Sequence, residues 1–262
     1  MLKIEGISKS FGGLEVLKRV DMNVEKGEIV GLLGPNGSGK TTLLNIVSGF
    51  LRASAGVITY DGREITALES HRISQLGIRR TFQLPRMPSK MSCAEVMLTS
   101  VQQNVSSTVL GLISRPVQAR AEQNAAKKRV FGMIDRLSLG PVADRAAAAL
   151  SGGQQKLLAL GAAVLGGAKM LLLDEPTAGV NPALRLTLVE TLHEIRDQGV
   201  TIVVVEHDMG FIARLCDRCV VLDRGAIIAN CKPSELLDHH EVVEAYLGRR
   251  ANRTELEPGR VA

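Results

Sequence analysis

Apolar and polar positions alternate through Val16–Val24, the two-residue period of a strand with one buried face. Lys26-Gly27 reads as a turn, and Glu28–Leu33 then becomes an almost continuous apolar run, the pattern of a fully buried strand. Residues 1–33 thus read as short strands. A Gly-rich loop follows, and a helix is expected through Lys40–Gly49. Gly56–Tyr60 reads as a strand closed by a hairpin signal at Asp61-Gly62, and Arg79–Phe82 as a short strand ending at Gln83. After Pro85 and Pro88 the rhythm changes. From Ser92 to about Leu150 it is helical, most clearly over Ala119–Leu137, and a Ser- and Gly-containing stretch lies around Ser106–Pro116. Strand–helix alternation resumes with the strand Met170–Leu173 and the helix Pro182–Gln198. It continues with the strand Val200–Val205, the helix Asp208–Cys216 and the strand Val220–Leu222. Two short helical segments are expected near Ser234–Leu237 and Glu241–Leu247.

This alternation predicts an α/β core with a parallel sheet, interrupted by a helical block at roughly 85–155. The expected organisation is a single domain over residues 1–248. Its core covers about 1–84 and 157–225, its helical subdomain about 85–156 and its C-terminal helices 226–248. Residues 249–262, polar and carrying Pro258 and Gly259, are expected to be a flexible tail.

Composition narrows the class. The chain has 262 residues, 45% apolar and 23% charged, as in a soluble globular protein. Aromatics make up only 3%, so the core is expected to be aliphatic and each aromatic becomes worth explaining. A net charge of +5 suits ATP, an anionic surface or nucleic acid without choosing between them. Its densest patches, Lys127-Lys128-Arg129 and Arg249-Arg250, read as solvated helix faces, so nucleic acid is not expected as a partner. Cys216 and Cys219 form a CxxC, but neither a second pair nor a His cluster follows at zinc spacing; these and Cys93 and Cys231 are expected to be reduced and part-buried. The most apolar stretch, Leu157–Leu173, is broken by Gly166-Gly167 and Lys169. It reads as a buried helix, a turn and a buried strand rather than a membrane span.

Three segments carry chemistry. Gly34-Pro35-Asn36-Gly37-Ser38-Gly39-Lys40-Thr41 matches GxxxxGK[ST] in full, between an apolar strand and a helix. Its backbone N–H groups can turn inward around phosphates, Lys40 adds a positive charge, the Thr41 hydroxyl can ligate Mg²⁺, and the helix N-terminus, which includes Thr42, adds its dipole. Met170–Leu173 runs into Asp174-Glu175-Pro176, two carboxylates at the ligand-binding edge of a parallel strand. Asp174 is suited to hold Mg²⁺ and Glu175 to polarise a water. Ser151-Gly152-Gly153-Gln154, opening a helix, forms a second backbone nest for an anion.

Phosphate loop, Leu150–Gln154 and acidic strand occur in an order that resembles the nucleotide-binding subunit of an ABC transporter, whose signature motif is LSGGQ. The resemblance runs from the first strand to about Gly248. It implies a P-loop NTPase (RecA-like) core with an antiparallel β subdomain and an inserted α-helical subdomain. It implies ATP and Mg²⁺ as cofactors, a head-to-tail dimer with a second ATPase subunit, and two separate permease subunits. The site would then lie at the cytoplasmic face of the inner membrane, with an extracytoplasmic binding protein selecting the cargo. By the same resemblance Gln83 reaches Mg²⁺ and the lytic water, His207 contacts the γ-phosphate and Phe11 stacks on adenine. Ala178-Gly179-Val180-Asn181 matches the loop crossing between subunits, although many relatives carry Asp where Asn181 stands.

Ile78-Arg79-Arg80-Thr81-Phe82-Gln83 is similar to the RTFQ segment found in ATPases of the branched-chain (hydrophobic) amino acid importers. So are Ser10–Leu14, Ala178–Pro182, Glu206–Met209 and the tail Val242–Gly248. Relatives of that family also move urea or short amides. An exporter ATPase of the lipopolysaccharide-extraction type shares the tail but not the RTFQ segment. A soluble ABC ATPase of DNA repair or translation would need a coiled-coil insertion or tandem cores. A regulator without turnover would not need Glu175 and His207. The family often places Arg after the signature where this chain has Lys156, Leu157 and Ala162, which is expected to remove an ion pair at the surface or between elements.

Overall fold

The computed structural model describes residues 1–81, 87–101 and 116–246. Phe82, Gln83, the stretch 102–115 and the segment from Leu247 onward, including the expected tail, lie outside the described residues. The chain divides into two compact units. One comprises Met1–Leu76 with the described residues from Thr201; the other is Gly77–Val200.

The first unit contains two sheets. In one, β1 (Leu2–Phe11) pairs antiparallel with β2 (Leu14–Val24) and with β4 (Ala55–Tyr60), which in turn pairs with β5 (Arg63–Glu64). The opening strands are therefore long rather than short: the two-residue turn Gly12-Gly13 lets β1 and β2 pair almost end to end. Asp61-Gly62 closes the β4–β5 hairpin with both residues at positive φ, the twist-compatible turn that the sequence signalled.

In the other sheet, β3 (Ile29–Leu33) runs parallel to β8 (Thr201–Val205) on one side and to β9 (Arg218–Asp223) on the other. All residues of β3 and β8 are buried, which is why they read as continuous apolar runs. β9 then turns through Arg224-Gly225, both at positive φ, into antiparallel β10 (Ala226–Cys231). This corrects the expectation of helices from residue 226. The helical C-terminal part is a 3₁₀ segment, Pro233–Asp238, and a helix over residues 240–246. Helices α1 (Lys40–Val47), α2 (Ser70–Gln75) and α7 (Met209–Leu215) complete this unit.

In the second unit, β6 (Ile78–Thr81) pairs parallel with β7 (Met170–Asp174). The helical block consists of α3 (Cys93–Ser100) and α4 (Pro116–Arg136). Helices α5 (Gly152–Leu165) and α6 (Pro182–Asp197) follow. Gly161 on α5 marks close packing, because a Cβ there would come within 2.6 Å of Met97 on α3 and 2.9 Å of Leu137 just past α4. The core of both units is aliphatic, built from Leu, Ile and Val. All four cysteines are free and buried.

Candidate nucleotide site

The loop Gly34–Gly39 joins β3 to α1. Gly34 is the tightest point: its φ is 140°, and a Cβ would meet the Leu222 carbonyl oxygen at 2.0 Å. Only glycine fits, so β9 and the loop approach backbone to backbone. The Ser38 N–H donates to the Pro35 carbonyl at 3.2 Å, and the Gly225 N–H donates to the Ser38 carbonyl at 3.0 Å. The turn between β9 and β10 thus supports the loop from beneath. Lys40 is buried, and its Nζ donates to the carbonyls of Gly34 at 2.8 Å and Pro35 at 3.0 Å. The side chain folds back over the loop mouth, where the ammonium can transfer from carbonyl dipoles to an anion.

At the start of α1 the N-cap is Gly39, which offers no side-chain acceptor. The first-turn N–H groups of Thr41 and Thr42 lie too early in the helix for a carbonyl within it, and a helix start of this kind is suited to an anion. The Ser38 hydroxyl is buried beneath the loop, where a Cβ at Gly34 would lie 2.9 Å from it, and is without a hydrogen-bond partner among the described residues. Asn36, Gly37 and Thr41 are exposed. Such an arrangement fits a polyphosphate.

The same unit carries Phe11 and His207. Phe11 ends β1 opposite Leu14; it is 47% exposed, with Lys9 Nζ 5.0 Å from its ring centroid. Its hairpin adjoins the loop, since a Cβ at Gly39 would lie 2.6 Å from Leu17 Cδ2, and Lys18 N–H donates to the Gly225 carbonyl at 2.8 Å. His207 is exposed just after β8. Its backbone N–H donates to the buried Glu206 carboxylate at 3.1 Å, and Asp208 caps α7 through Phe211 N–H at 3.0 Å.

The second unit holds the remaining described residues. Ser151 is the N-cap of α5, in a capping box: its hydroxyl accepts from Gln154 N–H at 3.3 Å and the Gln154 side chain accepts from Ser151 N–H at 3.0 Å. The Gly152 and Gly153 N–H groups remain as first-turn donors. A Cβ on Gly153 would meet the Gly179 carbonyl at 2.6 Å, so this glycine lets the signature segment seat directly on the loop 178–181. Asn181 Oδ1 accepts from Ala183 N–H at 3.0 Å and caps α6, a role that needs no charge.

Asp174 ends β7 and Glu175 follows it at φ 50°, a left-handed conformation that a non-glycine residue holds only when its surroundings enforce it. Two contacts around this pair were not legible in the sequence. Lys156 on α5 donates to the Glu175 carbonyl at 2.7 Å, so the position expected to lose an ion pair keeps a contact between elements. Arg80 on β6 forms a buried ion pair with Asp174 at 3.0 Å, with the two side chains 5% and 10% exposed. The signal for Arg80 was present as a charge within a short strand next to an acidic-ended one. Their partnership depended on register, Arg80 lying opposite Leu172.

The sequence model of the ABC transporter family matches residues 17–178. The chain belongs to the ABC transporter family. This ABC ATPase is 39% identical over 259 residues to the probable branched-chain amino acid transport ATP-binding protein LivG of Archaeoglobus fulgidus, covering 99% of each chain. It is 34% identical over 250 residues to the high-affinity branched-chain amino acid transport ATP-binding protein BraF of Pseudomonas aeruginosa, covering 95% of this chain and 98% of that one. Among solved structures it is similar to a nucleotide-free ATP-binding cassette from an ABC transporter, with a TM-score of 0.78 at 33% identity over 94% of this chain and 98% of the other. The ADP conformation of MJ1267, an ATP-binding cassette of an ABC transporter, gives a TM-score of 0.78 at 33% identity over 95% and 98%. The fold is thus that of an ABC ATPase cassette, and ATP is its nucleotide. No helix among the described residues is long and apolar enough to cross a membrane. Phe11, His207 and the C-terminal helix lie outside the span matched by the family model.

Proposed function

We propose that this ABC ATPase hydrolyses ATP to power uptake of branched-chain or other hydrophobic amino acids through separate permease subunits. The observation that carries the cargo is end-to-end similarity to proteins named for branched-chain amino acid transport, 39% over 99% of both chains in the A. fulgidus case. The working unit is a head-to-tail pair of ATPase subunits at the cytoplasmic face of the membrane, docked on two permeases, with an extracytoplasmic binding protein supplying cargo.

When bound, Mg-ATP supplies the γ-phosphoryl group and a cation that spreads its charge. The donor types fit: Mg²⁺ takes one or two protein oxygens together with phosphates, and the Thr41 hydroxyl and Asp174 carboxylate are oxygens of that kind. Gln83 completes this set by resemblance. Residues Gly34–Thr42 hold the phosphates through N–H groups and the Lys40 ammonium. Phe11 stacks on the base. Glu175 takes a proton from the attacking water, and His207 steadies the γ-phosphate. Ser151–Gln154 of one subunit donate to the nucleotide held by the other, so closure assembles each site and hydrolysis reopens it.

Two measurements test this. Glu175→Gln should lower ATP turnover by about 10²–10⁴-fold while ATP binding persists. Equal turnover in the folded variant would remove Glu175 from its role. Reconstituted with the permeases and binding protein of a branched-chain amino acid importer, the ATPase should drive ATP-dependent uptake of leucine, isoleucine or valine. Uptake of urea or a short amide in their place would refute the cargo and keep the ATPase.

A further inference from the structure

Tyr246 is one of only two tyrosines in the chain. It lies on the helix at residues 240–246, far in sequence from the phosphate loop. Its hydroxyl oxygen nevertheless accepts the backbone N–H of Gly34 at 2.9 Å. That N–H belongs to the first residue beyond the β3 ladder, which ends with Leu33 paired to Val221. Gly34 is buried, so no strand neighbour and no bulk water serves this donor. The other end of the same residue, the Gly34 carbonyl, accepts Lys40 Nζ. One residue is therefore held from both sides, by the C-terminal helix and by the lysine that meets the phosphates.

The tyrosine is held in turn. Leu236 in the 3₁₀ segment and Val242 in the helix are buried, and the Val242 and Val243 N–H groups donate to the His239 carbonyl at 3.0 and 3.1 Å. Gly34 cannot relax sideways, because the Leu222 carbonyl closes the space where a Cβ would stand. Burial keeps the Tyr246 phenol above its ordinary pKa, the Gly34 N–H opposing this in part, so it meets the loop as a neutral hydroxyl at physiological pH.

We propose that Tyr246 is a positioning residue of the phosphate loop, through which the C-terminal helix sets the affinity of this ATPase for nucleotide. Fixing Gly34 fixes the carbonyl that parks Lys40 and the point from which the loop departs. A C-terminal helix displaced by a partner or by a change in sequence then loosens the loop and weakens ATP binding without touching the hydrolytic carboxylates. The proposal rests on Gly34–Thr41 being the ATP site.

The test uses the full chain, with Mg-ATP binding measured by calorimetry and turnover by phosphate release. Tyr246→Phe removes the hydroxyl and keeps the ring. It should raise Kd and KM for ATP roughly three- to thirty-fold, the range expected when a buried donor loses its acceptor, and leave kcat within about two-fold. Tyr60→Phe, which removes the other tyrosine hydroxyl, buried in β4 and without a hydrogen-bond partner among the described residues, should leave Kd unchanged. Val242→Ala, which loosens the seat of the helix, should move Kd in the same direction as Tyr246→Phe. An unchanged Kd in Tyr246→Phe overturns the proposal. So does a raised Kd that returns to the wild-type value on cooling, because general loosening would then be the cause. Lys40→Ala serves as the separate check: if it binds ATP as the wild type does, the ATP-site reading fails, whatever Tyr246 does.

Discussion

Glu175 stands directly after Asp174, the last residue of β7. Its positive φ is unfavourable for a residue with a Cβ, and the Lys156 ammonium on its carbonyl is one of the forces that keep it there. Hydrogen bonds to a charged donor contribute about 1.5–3 kcal/mol. Lys156→Met should therefore release the Glu175 backbone and lower kcat by about ten-fold or more with KM for ATP little changed, and Lys156→Arg should recover most of the loss. Steady-state kinetics on the three proteins decide this; a Lys156→Met enzyme with wild-type kcat would show that Glu175 keeps its conformation unaided. The neighbouring Arg80–Asp174 pair should behave differently. Both side chains are buried, so removing the guanidinium in Arg80→Met strands a carboxylate in the interior, and about 3 kcal/mol of stability should be lost in denaturant unfolding. The identities of Asp174 and Glu175 were readable from an apolar run ending in two acids. Their partners were not, because a run reports burial and not which neighbour lies across the register.

At the scale of elements, the signature helix shows how two adjacent glycines differ. A Cβ at Gly152 meets nothing within 4 Å, whereas at Gly153 it meets the Gly179 carbonyl at 2.6 Å and Val180 Cα at 3.0 Å. These are backbone atoms and cannot swing aside. Gly153→Ala should therefore cost about 1–3 kcal/mol and displace either the signature or the loop 178–181, whereas Gly152→Ala should leave the melting temperature nearly unchanged. Calorimetry of the two variants separates them, and equal melting temperatures would mean the helix shifts freely. The sequence showed a nest here but gave the two glycines the same task, since close approach of a second loop is a tertiary fact. Elements with a long period or a strong turn signal were legible: β3, β8, α6 and the Asp61-Gly62 hairpin stand where the pattern put them, within a residue or two. The misses have physical causes. Helix α2 is six residues with no capping side chain and one buried position, Ile73, too short for a helical period to show. β10 follows Arg224-Gly225, which adopts the same positive-φ turn as Asp-Gly without the usual sequence mark.

For the whole molecule, the cysteines connect sequence to a measurable property. Cys216 caps the end of α7, Cys219 lies in β9 and Cys231 is its register partner in β10, so three thiols share one apolar region beside β3. Burial is the main cause that raises all four thiols above their ordinary value; for Cys219, burial and then the neighbouring Cys231 push it up to about 12 against an opposing pull from Arg218. The unfolded chain releases the Cys219 proton from about pH 9, while the folded chain keeps it until about pH 12. Above pH 9 the native state therefore binds more protons than the unfolded one, and stability falls as pH rises towards 12; below pH 9 the thiols contribute no slope. Each fully retained proton corresponds to a slope of about 1.4 kcal/mol per pH unit. Burial raises both tyrosines as well, so the wild-type slope alone does not identify the source. Comparison with Cys219→Ala does, because the variant lacks one retained proton whatever the other groups contribute. Urea unfolding between pH 8 and pH 10.5 should give a shallower alkaline decline for the variant, even if its stability at neutral pH is lower from the lost sulfur contacts. Parallel declines in the two proteins would mean that the thiol ionises in the folded state as it does in the unfolded chain, and that the apolar region around β3 admits water at high pH.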